Sequence, residues 1–242
     1  IGGIDMPSAM TVDTYQLVSR IASNAQKNGA KILTGEKVVA IEVVNDETFR
    51  VHTESGNLYE ANHIINAAGI MNARIASMVE KKVPYKMEPK LGEYSVLSNN
   101  KENPVSGKIL FPVPRKTSKG VLVTPQPGGT VRFGPTAKNQ RSLENNEVTE
   151  EGLKTIKEES SRLLKSIPND RVLYTYAGER ASINLKDFYI YPSLEYKNFI
   201  HVAGIDSPGV TAAPAIAKYV VNTIIMKENP LQRKSGVDYR SY

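Results

Sequence analysis

Cysteine and tryptophan are absent from the 242 residues, and histidine occurs only 3 times. Without cysteine there is no disulfide framework, thiol nucleophile, cysteine-ligated zinc or iron–sulfur cluster. His52, His63 and His201 are scattered, with neither HxxH nor HExxH spacing, so a histidine-rich metal site is not expected. No apolar run approaches the ~20 residues that a spanning helix needs. No basic stretch followed by an apolar core opens the chain as a secretory signal would. Aromatics make up only 7 %, and the 31 Lys and Arg, against 25 Asp and Glu, are spread along the chain. That argues for a basic soluble surface rather than the stacking platform of a single-strand binder. With 40 % apolar and 23 % charged residues, the composition is that of an ordinary globular chain able to bury a sizeable core.

Asp13, with Gln16 three residues on, reads as a helix N-cap. Tyr15, Leu17, Val18, Ile21 and Ala25 follow at helical spacing until Gly29. Short strands are expected at Lys31–Thr34, Lys37–Val44, Phe49–Thr53, Leu58–Glu60 and from His63, then a helix over Ala73–Val79. Strands at Gly92–Leu97, Lys108–Val113, Gly120–Thr124 and Thr130–Phe133 come next, with Gly128-Gly129 as a hairpin turn. Thr149 caps a helix expected to run to Ile167. Strands Val172–Tyr176, Phe188–Tyr191 and Phe199–Val202 precede a last helix, Ala212–Met226, and the polar tail beyond Lys227 reads as a linker or frayed end. This order implies an α/β (α+β) fold in which a mostly antiparallel β-sheet domain is inserted into an α/β domain.

Three segments carry candidate chemistry. Ala67-Ala68-Gly69 ends a strand in small residues, which suit close approach of a ligand or tight helix–sheet packing. Gly204-Ile205-Asp206-Ser207-Pro208-Gly209-Val210-Thr211 joins a strand to a helix whose N-terminus offers free N–H groups and partial positive charge; an ordinary capped turn is the other reading. Arg180, among small neighbours, forms either a fork for phosphate or carboxylate or a structural ion pair with Glu179 or Asp187. Tyr94 either places a phenol over a pocket or packs an edge strand. No GxSxG elbow, P-loop or GxGxxG occurs, and no carboxylate pair stands out as an acid/base couple.

The ordered set of segments is Pro7-Ser8 with Val12-Asp13, Ile64 to Gly69, Gly92-Glu93-Tyr94, Lys119 to Pro125, Gly134-Pro135-Thr136-Ala137, Ala177-Gly178 with Arg180-Ala181, and Val202 to Pro214. This set resembles the FAD-dependent oxidoreductases that include D-amino-acid oxidase, and most closely those of glycerol-3-phosphate dehydrogenase type. The resemblance spans positions 4 to 227. It implies an N-terminal GxGxxG unit ahead of the helix at Asp13, and the opening Ile1-Gly2-Gly3-Ile4 without an initiator Met is read as a chain entered partway through that fold. The implied organisation is an FAD-binding part over 1–84, a substrate-binding domain over 85–195, an FAD-binding strand and helix over 196–228, and a tail over 229–242.

The resemblance also implies roles. Lys37 and Val38 would lie against the adenine through backbone contacts, and Ala67, Ala68 and Gly69 beside the dinucleotide. Gly204, Asp206, Ser207, Pro208, Gly209, Val210 and Thr211 would wrap the ribityl chain and flavin. Arg180 would hold the substrate anion and Tyr94 line the pocket, with the catalytic base unassigned and no metal. FAD is the implied cofactor of the complete enzyme, and its reaction is the oxidation of sn-glycerol 3-phosphate to dihydroxyacetone phosphate. Alternatives are L-2-hydroxyglutarate, another 2-hydroxy acid or an amino acid as substrate, or a non-catalytic ligand-binding module of this fold. The implied partners are the small-molecule substrate and an unidentified electron acceptor, with no nucleic acid and a homo-oligomer as one possibility. The implied location is cytoplasmic, with peripheral membrane association as the alternative.

Overall fold

Asp13 opens the first helix as the sequence suggests. Its Oδ1 accepts the Gln16 N–H at 3.0 Å while the Gln16 amide donates back to Oδ2 at 3.2 Å, so α1 runs Thr14–Lys27. In this computed structural model, residues 3–98, 108–114, 120–140, 145–164, 167, 171–228, 230–232 and 234–238 are described. α1 leaves its apolar stripe of Tyr15, Val18 and Ile21 exposed.

Strands β1 (Val38–Asn45), β2 (Thr48–Thr53) and β3 (Leu58–Ala61) form an antiparallel meander. Phe49 on β2 is fully buried and meets the rings of Tyr196 and Phe199 edge-on, both at 6.3 Å. Ile41, Ala76 and Val79 complete this core, which joins the meander to α2 (Asn72–Ala76) and to a second sheet. In that sheet, β4 (Ile64–Asn66) runs parallel to β11 (Phe199–Ala203), and β10 (Tyr189–Pro192) lies antiparallel on the other side of β11. A parallel pair needs a long crossover, and here the crossover contains an entire third sheet.

That third sheet is built around β5 (Lys90–Ser98), flanked by β7 (Thr130–Gly134) and β9 (Val172–Arg180). β6 (Leu122–Pro125) pairs with β7 across the Gly128-Gly129 turn, and β8 (Lys138–Asn139) meets the start of β5. Alternation along β5 gives the sheet two faces. Leu97, Val123, Val131 and Phe133 face α3 (Glu150–Ser160) and pack on its Ile156, whereas Tyr94 and its cross-strand partner Tyr176 occupy the opposite face. α4 (Gly209–Tyr219) follows β11 and continues as a π-helical stretch, Val220–Ile225, into α5 (Met226–Glu228). Val220 and Ile225 bury against Ile200 of β11. The result is the mixed α/β fold with an antiparallel middle sheet that the element order implies.

Several local expectations are corrected. Lys31–Thr34 forms no strand, because no ladder partner meets it among the described residues. Lys108–Val113 yields only an isolated bridge, Leu110 to Val123. The helix starting at Thr149 turns out of α-geometry after Ser160; residues 165 and 166 of its expected span lie outside the described residues. β9 is longer than its apolar run and continues to Arg180, since the Lys90–Tyr94 stretch of β5 offers it a full ladder. The last helix begins at Gly209 rather than Ala212, with Pro214 within it. Part of the polar tail is docked rather than frayed. The Asp238 carbonyl accepts from the side-chain amides of Asn24 and Asn28, each at 3.0 Å, and Lys234 Nζ donates to the Asn28 carbonyl at 2.6 Å.

Candidate functional site

Two clefts follow from the parallel β4–β11 pair. The first, of about 630 Å³, is lined by Lys37, Val38, Ala67 and Ala68 together with Ile64, Asn66 and Arg74. The second, of about 360 Å³, lies on the other side of Ala67 and is lined by Gly69, Gly204, Ile205, Ala213 and Ile216. Small side chains leave this space open. Gly69, at φ +57°, would meet nothing within 4 Å if it carried a Cβ. Lys37 directs its ammonium outward to Glu54 at 2.9 Å, and its carbonyl accepts the Glu54 N–H, so it presents its stem and main chain to the cleft.

A buried polar network fixes the segment that divides the clefts. Asn72 Nδ2 donates to the carbonyls of Asn66 and Val202 at 2.9 and 3.1 Å, while Asn66 Nδ2 donates to the Asn72 carbonyl at 2.9 Å. The Tyr85 hydroxyl donates to Asn72 Oδ1 and lies 3.0 Å from His201 Nδ1; His201 Nε2 lies 3.2 Å from Glu80. Burial holds the His201 pKa below the usual imidazole value, with the Glu80 carboxylate opposing the shift. The network thus ties the ends of β4 and β11 together at the point where both chains enter the clefts.

The strand-to-helix turn is held by Asp206, whose Oδ2 accepts from the Ser182 hydroxyl and whose Oδ1 accepts from the Ser207 N–H, each at 2.5 Å. Gly204, at φ +71°, packs so closely on Ile183 that a Cβ would lie 2.6 Å from its Cδ1. No side chain caps α4 at Pro208, and Val210 and Thr211 in its first turn are exposed. The N–H groups of Val210 and Thr211 thus receive no side-chain cap at this helix end. Pro208 and Gly209 shape the turn, and the Gly209 N–H donates to the Asp206 carbonyl at 2.5 Å.

On the third sheet, the Tyr94 ring stacks on Tyr176 at 4.8 Å and 12°, and the Arg132 guanidinium sits 5.3 Å from the Tyr94 centroid. Burial raises the Tyr94 pKa above the usual phenol value; the charges of Arg180 and Arg132 oppose this, while those of Tyr176 and Asp206 add to it. Arg180 is partly buried and donates from Nη2 to the Thr136 carbonyl at 3.0 Å. It forms no ion pair among the described residues; Glu179 instead accepts from Gln140, and Asp187 from the Phe188 N–H. Gly92 lies between them, where a Cβ would stand 3.5 Å from Arg180 Nη2 and 3.6 Å from the Tyr94 ring, and Gly178 opens onto free space.

The structure therefore gathers the sequence-predicted residues into two groups. Lys37, Val38, Ala67, Ala68, Gly69 and Gly204 line the clefts, and Tyr94 and Arg180 share one sheet face. Asp206 links the groups through Ser182, two residues beyond Arg180. Sequence reasoning missed Arg132 and Tyr176. The alternation Tyr174, Tyr176, Gly178, Arg180 was the available signal, since it aligns four residues on one face. A third cavity of about 400 Å³ lies on the α3 side, lined by Leu153, Lys154 and Ser160, and involves none of these residues.

Comparisons with known proteins show the family. The family described as FAD dependent oxidoreductase (DAO) matches residues 1–223. A glycerol 3-phosphate dehydrogenase of Caloramator mitchellensis is 34 % identical over 93 % of this chain and 46 % of its own length. A glycerol 3-phosphate oxidase of Mycoplasma genitalium is 28 % identical over 94 % of this chain and 60 % of its own. The solved L-α-glycerophosphate oxidase of Mycoplasma pneumoniae, with FAD bound, superposes with a TM-score of 0.82 at 28 % identity, covering 90 % of this chain and 56 % of that one. The chain thus spans about half the length of the relatives it matches. No helix among the described residues is long and apolar enough to cross a membrane. With the family matched across nearly all of its length and the fold shared with a flavoprotein, this chain belongs to the FAD-dependent oxidoreductases of the DAO family.

Proposed function

We propose that the protein carrying this chain oxidises sn-glycerol 3-phosphate to dihydroxyacetone phosphate with FAD as its cofactor. The observation that carries this reading is Arg180. It is a partly buried guanidinium without a carboxylate partner among the described residues, set beside the open space at Gly178 and the stacked Tyr94 and Tyr176 rings. A guanidinium presents five N–H donors in a fork that matches a phosphate bidentately, and only one of them is engaged with Thr136. The similarity to glycerol 3-phosphate enzymes along nearly the whole chain supports phosphate as the anion.

The clefts fit the cofactor. They are apolar and flanked by small residues, and the second is lined by Ala213 and Ile216 of α4, whose N-terminus has no side-chain cap and suits developing negative charge. Lys37, Val38, Ala67 and Ala68 would hold its adenosine half, and Gly69 with Gly204 to Thr211 its flavin half. When bound, FAD supplies the two-electron acceptor for the substrate's secondary alcohol carbon. The third sheet would act as the substrate half, with Arg180 fixing the anion and the Tyr94 ring forming an apolar wall that excludes water. A 2-hydroxy acid such as L-2-hydroxyglutarate is the second reading, favoured by the equal fit of the Arg180 fork to a carboxylate.

Anaerobic titration of the full-length, FAD-loaded protein separates the two. Bleaching of the flavin absorbance by glycerol 3-phosphate and not by L-2-hydroxyglutarate is the expected result. Bleaching by L-2-hydroxyglutarate alone would move the assignment to the second reading, and bleaching by neither would overturn both.

A further inference from the structure

One buried carboxylate on the α3 side of the third sheet plays no part in the reaction described above. Glu93 is 1 % exposed. Its Oε1 accepts from the N–H and the hydroxyl of Thr149, both at 2.7 Å, and its Oε2 accepts from the Thr136 hydroxyl at 2.8 Å. The Thr136 hydroxyl in turn accepts the Glu93 N–H at 3.0 Å, and the Thr136 N–H donates to the Glu93 carbonyl at 3.2 Å. Thr136 is therefore clasped to Glu93 at three points. Its remaining main-chain group, the carbonyl, is the acceptor of the Arg180 Nη2 hydrogen bond at 3.0 Å.

We propose that Glu93 and Thr136 are positioning residues for the anion site: the clasp fixes the Thr136 carbonyl, and the carbonyl sets the direction of the Arg180 guanidinium. The inference rests on the reading of Arg180 as the substrate anion's ligand. A long, rotamer-rich arginine binds a phosphate more tightly when its fork is already aimed, because less conformational freedom is lost on binding. One main-chain acceptor takes one N–H and leaves the others for the ligand. Burying a charge to hold a neutral threonine is costly unless every lone pair in use is satisfied. Here the donors from Thr149 and Thr136, with the charge of Lys138, outweigh burial and keep the Glu93 pKa below the usual carboxylate value.

The test uses the full-length, FAD-loaded protein and compares Arg180→Ala, Thr136→Val, Thr136→Ser and Glu93→Gln, alone and in the Arg180→Ala background. Thr136→Val keeps the shape and removes the hydroxyl, whereas Thr136→Ser retains it. Thr136→Val and Glu93→Gln are expected to raise KM for glycerol 3-phosphate about fivefold with kcat changed less than about twofold, and Thr136→Ser to restore KM. In the Arg180→Ala background the same changes should leave KM where Arg180→Ala puts it, a non-additivity that a general loss of stability would not produce. Calorimetric titration with inorganic phosphate should show the same order in Kd without turnover. If Arg180→Ala raises KM and Thr136→Val does not, the positioning role is wrong while the anion site stands. If Arg180→Ala leaves KM unchanged, the anion site and the positioning role both fail. Should Glu93→Gln not fold, Thr136→Val against Thr136→Ser decides alone.

Discussion

Gly152→Ala offers a test in which helix propensity and packing predict opposite signs. Gly152 lies in the first turn of α3, and in a helix alanine is worth about 1 kcal/mol more than glycine, partly through the unfolded chain. Packing says otherwise. A Cβ at this position would lie 2.0 Å from Glu93 Oε2 and 2.2 Å from both Cδ and Oε1. A side-chain end can usually move aside, but this carboxylate is buried and its oxygens hold the hydrogen bonds to Thr149 and Thr136. Hydrogen bonds to a charged group are worth about 1.5–3 kcal/mol each, and displacing the carboxylate by an ångström or more disrupts the set. Losing the equivalent of two such bonds costs about 4 kcal/mol, so after the propensity gain a net destabilisation of about 3 kcal/mol is expected. For a chain of this size that is a fall in Tm of about 6–12 °C. Thermal unfolding followed by circular dichroism, with urea titration as a second measure, reads it directly. A Tm that stays or rises would refute the reasoning. So would an equal loss when Gly152→Ala is placed in a Glu93→Ala background, where the collision partner is gone and the helix gain should return.

Two further outcomes follow. Phe49→Ala removes a fully buried ring at the junction of the meander, α2 and β11, and should cost about 3–5 kcal/mol in urea unfolding; Phe111→Ala, at a 62 % exposed position, should stay within about 0.5 kcal/mol. Glu93, whose folded pKa lies below its ordinary value of 4.5, contributes stability that is present above about pH 5 and lost as pH falls through the folded value. The stability gap between wild type and Glu93→Gln should therefore be flat from pH 7 to about 5 and narrow on further acidification. A gap that widens on acidification would reverse the assigned sign.

Much of the fold was legible because local signals agreed with the tertiary result. The Asp13–Gln16 capping pair, the alternation in Val38–Asn45 and the Gly128-Gly129 turn each fix their element by short-range chemistry. Misses came where partners decide. Lys31–Thr34 has strand-like residues but no ladder partner among the described residues, and β9 outruns its apolar stretch because β5 continues beside it. Clusters of small residues could be read as ligand-facing segments, but sequence alone cannot show that Ala67 borders both clefts. Arg180 stood out by its surroundings; Tyr176 and Arg132 did not, since their relation to Tyr94 depends on register across three strands. Glu93 went unnoticed as chemistry because its partners, Thr136 and Thr149, are distant in the chain and belong to two different elements.

The two faces of β5 bear on how such an enzyme can change over evolutionary time. Leu91, Glu93, Ser95 and Leu97 are buried on the α3 side, while Gly92 and Tyr94 face the Arg180 side. Neighbouring positions thus answer to different demands: the odd ones to folding, as does the buried Val96, and, on the proposed reading, Tyr94 to the substrate. On that reading drift at Tyr94 would retune the substrate, whereas Gly92 has little room to change, since a Cβ there would stand 3.2 Å from Pro135 Cβ. Drift at Glu93 crosses that divide, because the signal leaves through the main-chain carbonyl of Thr136, an atom that no substitution can delete. A lineage exploring new substrates would be expected to vary Tyr94 first and to hold the clasp constant while it does so.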